Sequence, residues 1–88
     1  MHHNWYVTAE RVAILEACLC AADHRDRVLN LIAVAADDGE ALESLCIEFG
    51  LSEVSATVVL DMQLRRFTEI GRSRLREEYV QLLAEVAD

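Results

Sequence analysis

The chain of 88 residues is 53% hydrophobic and carries a formal charge of −8, from sixteen acids, eight arginines and no lysine. That apolar content excludes a disordered chain. Because a domain of this size hides only about 60–65% of its unfolded surface, it also favours an oligomer over a monomer. The negative field repels phosphate, so DNA, RNA and anionic membranes are disfavoured as direct partners.

Residues 1–8 show no helical period and are read as an irregular N-terminal segment, with a single helical domain over residues 9–88. Thr8 can cap a first helix. It carries Val12, Leu15, Leu19 and Ala22 at 3, 4, 3 spacing, a seam of coiled-coil type. Asp23, with Asp26 three residues on, starts a short second helix whose Val28, Leu31, Ile32 and Ala35 form one stripe. Asp37 and Glu40 make a near capping box for the third helix. Leu42, Leu45, Cys46 and Phe49 line that helix, and Gly50 supplies the left-handed residue that ends it.

Ser52 caps a fourth helix expected to run to about Arg66. Ala56, Val59, Leu60, Leu64 and Phe67 form one apolar stripe on it, and Val54, Val58 and Met62 another. A helix with two apolar faces in so small a domain spends one on its own core and offers the other to a partner. Thr68 caps the last helix, where Leu75, Tyr79, Leu82 and Val86 repeat at 4, 3, 4 through the end of the chain. Matching seams on the first and last helices predict an all-α fold, an antiparallel helix pair carrying a three-helix knob.

Two strings carry a family resemblance. Phe49-Gly50-Leu51-Ser52-Glu53 is followed by Val59-Leu60-Asp61-Met62-Gln63-Leu64-Arg65-Arg66-Phe67-Thr68, with Glu77-Glu78-Tyr79 and Ile14-Leu15-Glu16 in support. Over about Ala9 to Ala87 the chain resembles the A subunit of bacterial DNA gyrase and its counterpart in topoisomerase IV. In that family the region is the far end of a long antiparallel coiled coil, where a small helical knob pairs with its twin to close the DNA exit gate. The resemblance thus implies a dimer contact at or beside Val54, Val58, Met62, Leu64, Phe67 and the turn at Thr68.

The chain departs from the family pattern at Gln63, where an arginine is usual, and after Thr68, where Glu69 replaces a glycine and the glycine comes at Gly71. The winged-helix domain, the DNA-cleaving tyrosine with its arginine neighbour, the tower and the C-terminal wrapping domain have no counterpart in the 88 residues. No enzymatic activity and no cofactor are therefore expected. Met1 and the unrelated residues that follow it read as the start of a free-standing short protein.

The remaining chemistry-bearing residues have simpler readings. Cys18, Cys20 and Cys46 are odd in number and sit among apolar neighbours, as reduced thiols do. Cys18 and Cys20 point to nearly opposite sides of a helix and cannot share a zinc ion. His3 could hold Cu²⁺ or Ni²⁺ with the terminal amine and backbone nitrogens, but no metal site is assigned, and His24 reads as a solvated polar residue. Tyr79 belongs to the seam, and Tyr6 is isolated.

Charge is uneven along the chain: residues 1–63 hold eleven acids and three arginines, and residues 64–88 five of each. Arg65, Arg66, Arg72, Arg74 and Arg76 form the one basic cluster. It reads first as a solvated face with Arg74–Glu78 and Glu69–Arg72 pairs, and second as a patch for a nucleic acid or an acidic partner. The adjacent carboxylates Glu77/Glu78 and Asp37/Asp38 diverge by about 100° on a helix and make no general acid–base pair.

No stretch of eighteen apolar residues or secretory leader occurs, which makes the expected location cytoplasmic. The functional reading is a homodimerising module with no small-molecule substrate. A regulator that pairs with the full-length gyrase A protein is the alternative. A helix-turn-helix transcription-related binder is the third, and the charge of −8 opposes it.

Overall fold

The structure, a computed structural model, describes residues 5–87, with five α-helices and no strand among them. They are α1 (Trp5–Asp23), α2 (Arg25–Val34), α3 (Asp38–Phe49), α4 (Glu53–Leu60) and α5 (Glu69–Ala87), with a 3-10 turn Leu64–Phe67 between α4 and α5. The expected all-α pair with a three-helix knob is the architecture found. The pair is antiparallel: Tyr79 Oη donates to Glu16 Oε1 at 2.9 Å, and Arg76 Nη2 lies 3.2 Å from Asp23 Oδ1 nearer the knob. Each long helix has 19 residues, about 28 Å of rise. The molecule measures 46 × 27 × 17 Å, so the knob accounts for the remaining length.

Local chemistry sets most of the helix ends. Asp37 Oδ1 accepts from the Glu40 backbone N–H at 2.9 Å, and the Glu40 carboxylate reaches back to the Ala36 N–H at 3.2 Å. These bonds satisfy donors that the first turn of α3 leaves open. Gly50 closes α3 at φ 64°, with its N–H on Cys46 O, a conformation a Cβ would oppose. Ser52 Oγ accepts from the Ser55 N–H at 3.1 Å and starts α4.

Three boundaries differ from expectation. Helix α1 begins at Trp5, so Thr8 lies inside it, and the segment read as irregular is helical from residue 5 on. Helix α2 takes His24 rather than Asp23 as its N-cap, because α1 runs on through Asp23, whose carboxylate meets Arg76 across the helix pair. Helix α4 stops at Leu60 instead of Arg66.

The core joins all five helices and the 3-10 turn through Ala17, Cys18, Ala21, Ala22, Val28, Leu45, Ala56, Val59, Phe67 and Leu75. Of the two seams, Ala22, Leu75 and Leu82 are buried, while Val12, Leu15, Leu19, Tyr79 and Val86 are half-buried. On α1, Ala17 and Ala21 form a second, small-residue stripe outside the seam. Their size lets α4 approach α1 closely, with Ala56 fully buried between them.

Candidate association surface

The surface of interest is the corner where α4 ends, the chain turns and α5 begins. After Leu60, Asp61 adopts φ −89°, ψ 0° and Gln63 is extended, so the helical path breaks. The 3-10 turn then folds Phe67 inward, where only 9% of it is exposed. Arg72 Nη1 clamps the Phe67 carbonyl at 2.9 Å. Thr68 Oγ1 accepts from the Gly71 N–H at 3.0 Å, capping α5 as expected, and donates to Arg65 O at 2.9 Å.

Gly71 explains the shifted glycine. A Cβ there would stand 2.5 Å from Arg65 O and 2.6 Å from Arg66 O, so α5 approaches the turn more closely than any side chain allows.

The break redistributes the six residues read as a dimer contact. Val54 is 52% exposed, Leu64 is 69% exposed, and Thr68 is also exposed. Val58 and Met62 are half-buried against the core. Phe67 is a core residue, so it lies behind this surface rather than on it. Had α4 continued, Leu64 would share the stripe of Ala56 and Val59; ending the helix at Leu60 turns it outward instead. Ile70, in the first turn of α5, is 65% exposed and was not among the six. Its signal was an apolar residue two places after a helix cap and off the seam.

The basic cluster also divides. Arg66 pairs with Glu78 at 3.4 Å, Arg72 holds the Phe67 carbonyl, and Arg76 pairs with Asp23. The expected Arg74–Glu78 and Glu69–Arg72 pairs are absent among the described residues, because Glu78 and Arg72 are committed to the turn. Arg65 and Arg74 have no carboxylate partner among the described residues. They line a cleft of about 430 Å³ with Gln63, Arg66, Thr68 and Ile70. Two residues back along the chain from Gln63, Asp61 lines a second cleft of about 430 Å³ with Asp38, Ile32, Leu42, Thr57 and Leu60.

The other chemistry-bearing residues are occupied by packing. Burial pushes the Cys18 thiol above its ordinary pKa, and burial with the nearby Asp23 does the same for Cys20, the opposite of an activated nucleophile. His24 Nδ1 donates to Cys20 O at 2.9 Å, and its ring lies 6.1 Å from that of Phe49. Phe49 also carries the Arg27 guanidinium over its face while Arg27 pairs with Glu48, a tie between α2 and α3. The Tyr79 hydroxyl is held above its ordinary pKa by its hydrogen bond to Glu16. Among the described residues no three histidine, cysteine or acidic side chains are placed to hold a metal. No helix there is long and apolar enough to cross a membrane. His2 and His3 lie outside the described residues.

No family model matches the chain. Individual relatives do, and each bears the name of the DNA gyrase A protein. The Streptococcus pneumoniae protein is 44% identical over 78 residues, 89% of this chain and 10% of the relative. The Campylobacter jejuni protein is 40% identical over 77 residues, 88% of this chain and 9% of the relative. The Staphylococcus aureus protein is 37% identical over 86 residues, 98% of this chain and 10% of the relative. The resemblance read from the sequence therefore covers nearly the whole chain. The chain spans about a tenth of the length of these relatives.

Proposed function

We propose that this chain is a non-catalytic association module that pairs with a second copy through the α4–α5 corner, as the exit-gate knob of the resembled family pairs with its twin. The observation that carries the reading is the coincidence of two features at one place. The string of residues 60–68, on which the resemblance is most specific, spans the corner after α4 where Leu64 stands exposed, with exposed Ile70 two residues past its end. Single exposed apolar residues are ordinary on a protein surface, but Leu64 and Ile70 flank a turn held by Thr68, Arg72 and Gly71, which fixes the backbone that carries them. A fixed backbone loses little conformational entropy on binding.

Multi-angle light scattering on the pure protein tests this reading. A mass twice that of the 9.9 kDa chain at micromolar concentration is expected. A mass of one chain throughout the accessible range would dismiss it.

Identity of 37–44% to gyrase A proteins favours a second use of the same surface, in which the chain pairs with a full-length gyrase A protein and thereby regulates the enzyme. Added in excess to gyrase, the protein would then lower supercoiling and co-sediment with gyrase A. Unchanged supercoiling and no co-sedimentation would sink this reading and leave the first intact.

A further inference from the structure

We infer that the second copy is oriented by charge: the arginine-lined rim of one copy's cleft faces the acidic rim of the other's, twice over, about a twofold axis at residues 61–63. The inference rests on the self-association proposed above and adds the docking register.

Four observations support it. The two clefts adjoin, one lined by Asp61 and the other by Gln63, and both measure about 430 Å³. Their charges are opposite and unmixed, since Arg65, Arg66 and Arg74 line one, and Asp38 and Asp61 the other. Each has apolar residues beside the charges, Ile70 in the first and Leu42 and Leu60 in the second. Arg65, Arg74, Asp38 and Asp61 have no ion-pair partner among the described residues, unlike Arg66 and Arg76 nearby.

Net charge favours such an arrangement. Two copies at −8 each repel one another in most orientations. A twofold contact must also be self-complementary, so that whatever one copy offers, the other accepts. Adjacent basic and acidic clefts meet both demands, and an unrelated acidic partner would leave the acidic cleft facing like charge. Complementary charge of this kind fixes register and rejects wrong orientations.

The test is a charge exchange read by sedimentation equilibrium, with helicity followed by circular dichroism. The Arg65→Glu/Arg74→Glu protein and the Asp38→Arg/Asp61→Arg protein each place like charges at both contacts. Each is expected to raise the dimer dissociation constant about tenfold or more. Mixed in equal amounts, the two variants restore opposite charge at both contacts and should form a heterodimer about as tight as the wild-type dimer. The protein carrying all four substitutions should dimerise again by itself, which also shows that the altered chains fold.

A wild-type dimer that ignores both reversals, or variants whose mixing restores nothing, would overturn the charge register while self-association stands. A wild-type protein that stays monomeric would overturn both.

Discussion

The helix pair and the α4–α5 corner are built on opposite principles. Between α1 and α5, Ala22, Leu75 and Leu82 are buried, and the polar residues at the edges, Glu16 with Tyr79 and Asp23 with Arg76, tie one helix to the other. At the corner, apolar Leu64 and Ile70 face outward, and the fixed contacts are backbone ones: Thr68 on the Gly71 N–H, Arg72 on the Phe67 carbonyl. The pair uses its apolar residues to hold the chain together, whereas the corner anchors itself by Phe67 and hydrogen bonds and leaves Leu64 and Ile70 free. Substitutions should therefore cost stability in the pair and association at the corner.

The largest effect is expected from Leu75→Ala. Leu75 is fully buried, and truncating such a leucine removes about 2–5 kcal/mol. Urea unfolding should show most of the stability of so small a domain gone. Gly71→Ala probes the corner's geometry instead, because the new methyl must displace the backbone of the 3-10 turn; overpacking of this kind costs about 1–3 kcal/mol. A wild-type midpoint would mean that α5 can move away freely. Ser52→Ala removes the cap of α4 and should cost about 0.5–2 kcal/mol in the same assay.

The smallest effect concerns pH. The Tyr79 pKa is raised in the folded chain above its ordinary 10.0, chiefly by the bond to Glu16. The neutral hydroxyl is therefore the form that folding favours, and its contribution is complete below about pH 10 and is lost as pH rises through the folded value. Tyr79→Phe should lower the thermal midpoint slightly at neutral pH, flatten its alkaline fall, and converge with wild type at the highest pH.

What could be read from the sequence follows the same division. Caps are local, a side chain meeting a backbone N–H three residues on, so Asp37, Ser52, Thr68 and the left-handed Gly50 were readable one by one. The seams were readable because helical periodicity is local too. The end of α4 was not, since residues 60–66 hold neither proline nor glycine to mark a break. That break depends on Phe67 finding the core and on α5 closing against the turn at Gly71, contacts between segments rather than neighbours. The same blind spot hid the Ala17 and Ala21 stripe, whose purpose appears only with α4 packed on it. Arg74 was paired with Glu78 by spacing alone, yet Glu78 pairs with Arg66, which the turn brings alongside.

The central claim is that the corner's exposed apolar residues hold two copies together, and Leu64→Asp tests it most directly by sedimentation equilibrium. Met62 is less suitable because it packs on the core, whereas Leu64 is 69% exposed, so an aspartate there should change stability by no more than about 0.5 kcal/mol. The wild-type protein should sediment as a dimer and the Leu64→Asp protein as a monomer of unchanged helicity. A Leu64→Asp protein that dimerises as tightly as wild type would contradict the claim.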